Sequence, residues 1–317
     1  MIWGTASSAL QCEGAAPASD WGRWERIGRV PTSDDGNGFR TRAAEDLALL
    51  AEHGVRAHRL TIEWARLEPQ RGTWDPVEVT RYLDVLRAAR AADIDIWVTL
   101  HHLTLPGWFS EDERGFHDDR MARRVWPAHV DRVAETFGDL VAGWIPIDQP
   151  SAYAALTWPD DDDRYTGVTN LRAANREAAR LLGSGDAPVV ASHTPGEPAD
   201  ELKLDLESFT GVGLVHEATE GSALRTAVQR LADDAGTVPL WVTATGVGTT
   251  DPDEQADKAR ASRDQLQDAG ADGIDLRGAF WWCAVDGYEP STAFEVPWGL
   301  FDRDRNVRPA VGELFDR

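Results

Sequence analysis

The stretch Ala44-Glu45-Asp46-Leu47-Ala48-Leu49-Leu50-Ala51-Glu52-His53-Gly54-Val55-Arg56-Ala57-His58-Arg59-Leu60-Thr61-Ile62-Glu63-Trp64 holds one complete unit of an alternating fold. Ala44, Leu47, Leu50 and Ala51 recur at helical spacing, and Gly54 follows as a stop. Ala57–Ile62 then reads as a short strand, with Glu63-Trp64 just past its end. The same alternation runs outward in both directions. Further strands are expected near Ile2 and at Asp95–Leu100, Gly143–Ile147, Pro188–Ser192, Gly211–Val215, Leu240–Thr243 and Gly278–Trp282. Helical stripes lie between them: Tyr82, Leu83, Leu86 and Ala89; Leu224, Ala227, Val228 and Leu231, closed by Gly236; and the segments Asn170–Gly183 and Asp253–Asp268. Eight strands alternating with helices read as a parallel sheet, and eight is the number that closes a barrel. No Ser/Gly-rich linker interrupts the pattern, so a single (β/α)8 TIM barrel of the α/β class over residues 1–317 is expected.

Composition narrows the function. The 317 residues carry a net charge of −22, which repels phosphate backbones and places nucleic acid outside the expected partners. An apolar share of 42% supplies a sizeable core and excludes a disordered chain. Trp, at 14, outnumbers Phe (9) and Tyr (4) together. Flat indoles stack on the apolar faces of sugar rings, but they also fill cores. Two cysteines, Cys12 and Cys283, are too few for a disulfide scaffold. No apolar run is long enough to span a membrane, and the N-terminus lacks a basic stretch followed by an apolar one. A cytoplasmic protein with no membrane partner is the expectation.

In such a barrel, chemistry sits at the C-terminal ends of the strands. Those ends read Gln11-Cys12-Glu13-Gly14, Glu63-Trp64, His101-His102, Asp148-Gln149-Pro150, His193, Thr243-Ala244-Thr245-Gly246 and Trp282-Cys283-Ala284-Val285-Asp286. In this order the segments resemble glycoside hydrolase family 1, the β-glucosidase-like barrels. Trp3-Gly4-Thr5-Ala6-Ser7-Ser8-Ala9-Leu10-Gln11-Cys12-Glu13-Gly14-Ala15 is similar to the family's W-G-T-A-T-S-A-Y-Q-I-E-G-A. His58-Arg59-Leu60-Thr61-Ile62-Glu63-Trp64 resembles Y-R-F-S-I-S-W, and Thr99-Leu100-His101-His102-Leu103-Thr104-Leu105-Pro106 resembles T-L-Y-H-W-D-L-P. Trp282-Cys283-Ala284-Val285-Asp286-Gly287-Tyr288-Glu289 is similar to W-S-L-L-D-N-F-E, with Trp298-Gly299-Leu300 where the family has F-G-L. The match runs the whole length, with shortened connections in the second half.

The resemblance implies retaining hydrolysis of β-glycosides by two Glu residues about 5–5.5 Å apart, an acid/base and a nucleophile. Both are replaced here. The acid/base motif T-F-N-E-P reads Pro146-Ile147-Asp148-Gln149-Pro150, so Gln149 stands at the acid/base position. The nucleophile motif T-E-N-G reads Thr243-Ala244-Thr245-Gly246, so Ala244 stands at the nucleophile position. No Asp or Glu occurs from Ala235 through Thr250, and an alignment slip cannot supply one. An amide has no proton to give, and losing general-acid help costs about 10²–10⁴-fold. Some family members work with Gln there, on substrates whose leaving group needs no proton. A methyl group cannot attack carbon, so the covalent route is closed.

By the same resemblance, Gln11, His102 and Glu289 would bind sugar hydroxyls, Trp282 would form the floor under the ring, and Arg59 would sit beside the vacated nucleophile position. Asp148 replaces the Asn that contacts the sugar 2-hydroxyl. Leu103 and Pro290 stand where the family has Trp, and Leu214 where it has a sixth-strand Tyr.

Plainer readings stand beside these. Trp282 and Trp64 could simply be packed, Glu289 and Asp286 could hold the eighth-strand loop by ion pairs, and Arg59 could pair with Asp148 or Glu13 as a buried salt bridge. His58, His101, His102 and His193 fit no tight ligand spacing, and strand alternation turns His101 and His102 in opposite directions, so no metal and no cofactor are expected. Asp160–Asp163 reads as a solvated acidic loop. Cys12 and Cys283 fall on neighbouring strands of a closed barrel, with two unbridged buried thiols the blander account. Three functions follow. The first is an inactive or non-classical β-glycosidase homologue that binds a sugar or glycoside. The second is an enzyme using an external nucleophile in a single displacement, with Asp148 as candidate base and Arg59 or His102 holding an anion or leaving group. The third is an interaction barrel without a sugar ligand, which predicts a blocked pocket.

Overall fold

The computed structural model describes residues 1–194, 205–218 and 224–315. Its strands are β1 (Ile2–Ala6), β2 (Ala57–Thr61), β3 (Asp95–His101), β4 (Gly143–Ile147), β5 (Val190–His193), β6 (Gly211–Glu217), β7 (Leu240–Gly246) and β8 (Leu276–Trp282). Among the described residues the helices are α1 (Ala9–Glu13), α2 (Asp20–Arg26), α3 (Phe39–Glu52), α4 (Trp64–Leu67), α5 (Pro76–Ala91), α6 (Asp119–Phe137), α7 (Pro150–Thr157), α8 (Asp161–Leu182), α9 (Leu224–Ala235), α10 (Pro252–Ala271) and α11 (Ala310–Phe315). None is long and apolar enough to cross a membrane.

The strands form one parallel sheet in the order β4-β3-β2-β1-β8-β7-β6-β5. β1 pairs with β8 from Ile2↔Gly278 to Ala6↔Trp282, which joins the chain's two ends. β4 and β5 meet through single parallel bridges, Trp144↔Val189 and Asp148↔Ser192, so the ring is nearly closed. β5 begins two residues later than its apolar run because Pro188 has no N–H to donate, although its carbonyl still accepts from Trp144 N at 2.9 Å. β6 and β7 run past their expected ends by two and three residues, and these polar extensions carry site residues.

Two apolar layers hold the barrel. Its interior is plugged by Ala6, Ala57, Trp97, Ile145, Val190, Trp241 and Phe280. The Trp97 and Trp241 rings lie 4.3 Å apart, and Trp97 and Phe280 5.6 Å. These large rings fit because their neighbours are glycine. A Cβ on Gly143 would meet Trp97 at 2.4 Å, and one on Gly278 would meet Trp241 at 2.3 Å. The second layer, between sheet and helices, includes Leu47, Leu50, Leu60, Ile62, Leu86 and Val98, and each such side chain contributes about 1.5–3 kcal/mol on burial. The Trp excess is mostly packing: Trp21, Trp64, Trp97, Trp126, Trp144, Trp241 and Trp281 are buried.

Helix starts follow local rules. Asp75 caps α5 and Asp251 caps α10, each followed by Pro at the first turn. Asp160–Asp163 is the start of a helix rather than a solvated loop. Asp160 is the cap of α8 and accepts from Asp162 N and Asp163 N, while Asp161, Asp162 and Asp163 fill the first turn. Negative charge there complements the positive end of the helix dipole, which the charge run alone did not reveal.

Candidate functional site

A cavity of about 240 Å³ opens at the C-terminal ends of the strands, and Gln11, His102, Asp148, Gln149, Ala244, Trp282 and Glu289 all line it. The structure thus brings together seven of the eight residues singled out in the sequence. The eighth, Arg59, lies directly behind them at 1% exposure.

Arg59 projects from β2, and all the contacts it makes are internal. Its Nε donates to Thr99 Oγ1 (3.0 Å), its Nη1 to the Thr243 carbonyl (2.8 Å) and its Nη2 to the Asp148 carboxylate. The other Asp148 oxygen accepts from Ser192 Oγ at 2.5 Å, and Ser192 Oγ lies 2.7 Å from Thr243 Oγ1. His102 Nε2 sits 3.4 Å from Asp148. Burial alone would raise the Asp148 carboxyl, but Arg59, His102 and the Ser192 hydroxyl outweigh it and hold the group below the usual carboxylate range. Asp148 is therefore a locked anion with both oxygens engaged. Glu13, the other partner considered for Arg59, is taken by Arg66 (3.2 Å) and Arg81 (3.0 Å).

Gln149 caps α7 in the left-handed region (φ 44°, ψ 64°), with Pro150 beginning the helix. A non-glycine residue held there is strained by about 1–2 kcal/mol. Its Oε1 accepts from Thr194 Oγ1 at 3.3 Å. Ala244 comes from β7, where irregular pairing on both sides (Leu214/Val215 and Val242/Thr245) re-aims the strand. Ala244 and Thr245 consequently both line the cavity.

Gln11, Glu289 and Trp282 form one bonded chain in the cavity lining. Ser8 Oγ donates to Gln11 Oε1 (2.6 Å), Gln11 Nε2 to Glu289 Oε2 (2.8 Å) and Trp282 Nε1 to Glu289 Oε1 (3.0 Å). Gln11 lies on α1, since β1 ends at Ala6. Burial pushes the Glu289 carboxyl up to about 7, against the two donors that favour its charged form. The folded state therefore keeps a proton that the unfolded chain releases near 4.5. Stability from this group is full below about 4.5 and is lost as pH rises through about 7. Glu289→Gln is expected to flatten the fall in stability over that window by about one proton, read from unfolding at a series of pH values. An unchanged slope would mean Glu289 is ionised throughout.

His102 is pushed down to about 4 by burial, so the ring is neutral at pH 7. It faces Trp282, whereas His101 turns behind the sheet against Tyr153, as strand alternation requires. His58 bonds Thr5 and Ser7, and His193 lies 3.3 Å from Asp205. Among the described residues no group of three His, Cys, Asp or Glu is placed to hold a metal. Cys12 and Cys283 are both free and buried. Asp286 is a loop anchor, bonded to Arg308 (2.8 Å) and to Gly299 N (2.6 Å).

Leu214 is not a cavity residue. It packs in the outer apolar layer, and β6 lines the cavity with Val215, His216 and Glu217. The placement of Leu214 rested on the resemblance to the family's sixth-strand Tyr; in the structure Leu214 shares the outer face with Val212, and the pairing with β7 slips by one residue just after it. Sequence reasoning also missed Thr245 and Trp298 as lining residues. Trp298 stood in a quoted motif, and its indole was the available signal.

The model of "Glycosyl hydrolase family 1" matches residues 1–160. Beta-glucosidase 1B of Phanerodontia chrysosporium is 31% identical over 175 residues, covering 49% of this chain and 31% of that protein. Coniferin beta-glucosidase of Pinus contorta is 29% identical, covering 49% and 32%. The chain thus spans about a third of the length of the curated relatives it matches. Among solved structures, the beta-glucosidase from Thermotoga maritima in complex with cyclophellitol superposes with a TM-score of 0.88 at 18% identity, covering 98% of this chain and 95% of that one. The beta-glycosidase from Pyrococcus horikoshii gives 0.85 at 21%, covering 98% and 92%. At such identities these structures speak for the fold alone. The family match runs through β1–β4 and includes Gln149, and the remaining strands complete the same barrel: this chain belongs to glycosyl hydrolase family 1.

Proposed function

We propose that this barrel binds a sugar or glycoside at its C-terminal mouth and lacks the two-carboxylate retaining reaction. The observation that carries the reading is the lining of the cavity, which keeps the bonded chain Gln11–Glu289–Trp282 but presents an amide at Gln149 and a methyl at Ala244. The bonded chain offers acceptors and donors for hydroxyls beside an indole, and positions 149 and 244 offer neither a proton nor a nucleophile.

An open cavity of about 240 Å³ speaks against a barrel that has closed its mouth. The single-displacement alternative needs Asp148 to take a proton from an attacking nucleophile. Its pairing with Arg59 and Ser192 works against that role, because a base held below the usual carboxylate range accepts protons poorly.

Incubation with an aryl β-glucoside, with and without azide or formate, tests the reading. The aryl group leaves without needing a proton, and the small anion fills the space beside Ala244. Turnover is expected only with the added anion, giving a glycosyl azide in the azide case. Turnover without it would overturn the reading, and no turnover with either anion, joined to no binding of the glycoside at millimolar concentration, would do so as well.

A further inference from the structure

We infer that the ligand of this cavity is a cationic amino sugar, or a glycoside carrying one, in preference to a neutral sugar. The inference rests on the reading of the barrel as a sugar binder and adds the charge of the sugar. Three carboxylates line the cavity, Asp148, Glu217 and Glu289, and among the described residues no Arg or Lys lines it. The charge of Asp148 is answered by Arg59 behind the wall. Glu289 meets only the neutral donors Gln11 and Trp282, and no cation pairs with Glu217 among the described residues.

The uncharged groups point the same way. His216 is 9% exposed and lines the cavity with its Nδ1 unpartnered, and its ring is kept neutral by burial. Thr245, at 1% exposure, lines it with an unpartnered Oγ1. Carboxylates, a neutral imidazole nitrogen and a hydroxyl oxygen can all accept, and an ammonium group supplies three donors. Trp282 and Trp298 also line the cavity, and an indole attracts a cation through its ring in a way that a neutral hydroxyl does not share. The chain's net charge of −22 deepens the negative potential at the mouth.

A bound ammonium also acts on Glu289. Burial, with a smaller push from the charge of Glu217, keeps a proton on Glu289 up to about 7. A cation beside them favours the ionised form, so binding near pH 6, where the amine already carries its proton, expels part of the proton on Glu289.

Calorimetry on the full chain at pH 6 and low salt, with methyl β-glucosaminide, methyl β-glucoside and N-acetylglucosamine, tests the inference. The amine is expected to bind at least about tenfold more tightly than the two neutral sugars, with a gap that shrinks in high salt. The heat should differ between buffers of different ionisation enthalpy, which reports the released proton. Glu217→Gln should narrow the gap to less than about threefold, with circular dichroism confirming the fold. Equal affinities for amine and glucoside would overturn the inference while leaving the sugar reading standing, and so would a gap that survives Glu217→Gln. If none of the three binds at millimolar concentration, both fall.

Discussion

Asp148→Asn is expected to lower folding stability by about 3–5 kcal/mol, the cost of stranding a buried charge whose partner has been removed. The Arg59 and Asp148 side chains are 1% and 2% exposed, so water cannot replace the lost carboxylate. Thr99 and the Thr243 carbonyl would still accept from Arg59, but neither carries charge. The acid side follows from the same pair. Asp148 titrates below its usual 3.8, so its contribution is complete above that range and is lost only as pH falls through the lowered value. Adding Ala244→Glu to Asp148→Asn should recover much of the loss, because residue 244 follows the carbonyl that Arg59 already holds. Urea unfolding of the single and double variants measures this. A loss below about 1 kcal/mol for Asp148→Asn would mean that Arg59 is held by its neutral partners alone.

The second expectation concerns chemistry. The triple variant Asp148→Asn, Gln149→Glu, Ala244→Glu is expected to hydrolyse aryl β-glucosides without added azide or formate. Glu at 244 would supply an attacking carboxylate beside Arg59, and Glu at 149 an acid/base on the facing strand end. The acid alone is worth about 10²–10⁴-fold. Keeping Asp148 beside a new Glu at 244 would place two carboxylates against one guanidinium and raise the pKa of one of them, which is why the Asn change belongs in the set. Steady-state release of the aryl group, with retention at the anomeric carbon, is the readout. A triple variant that folds, binds the glucoside and still releases nothing would show that the cavity no longer places the anomeric carbon between positions 149 and 244.

Much of this protein could be read from residue order. Period-3.6 and short apolar segments gave all eight strands to within a few residues, because each strand of a parallel barrel is buried on both faces. That positions 149 and 244 carry an amide and a methyl was equally legible, since residue identity needs no folding to be read. Gln11, His102, Trp282 and Glu289 were found because they sit in motifs tied to strand ends.

Residue order thus carried the class of fold and the side chains at positions 149 and 244. The partners that hold Arg59 came only with the folded chain. Arg59 and Asp148 are 89 positions apart, and three neutral groups from β3, β5 and β7 complete their network, a pairing that no local rule specifies. The lining from β6 was hidden for a related reason. The β6–β7 register slips by one residue after Leu214, with the extra residue on β7; Leu214 packs in the core beside Val212, and Val215, His216 and Glu217 line the cavity. A bulge depends on how two strands pair, and pairing exists only once the sheet has formed.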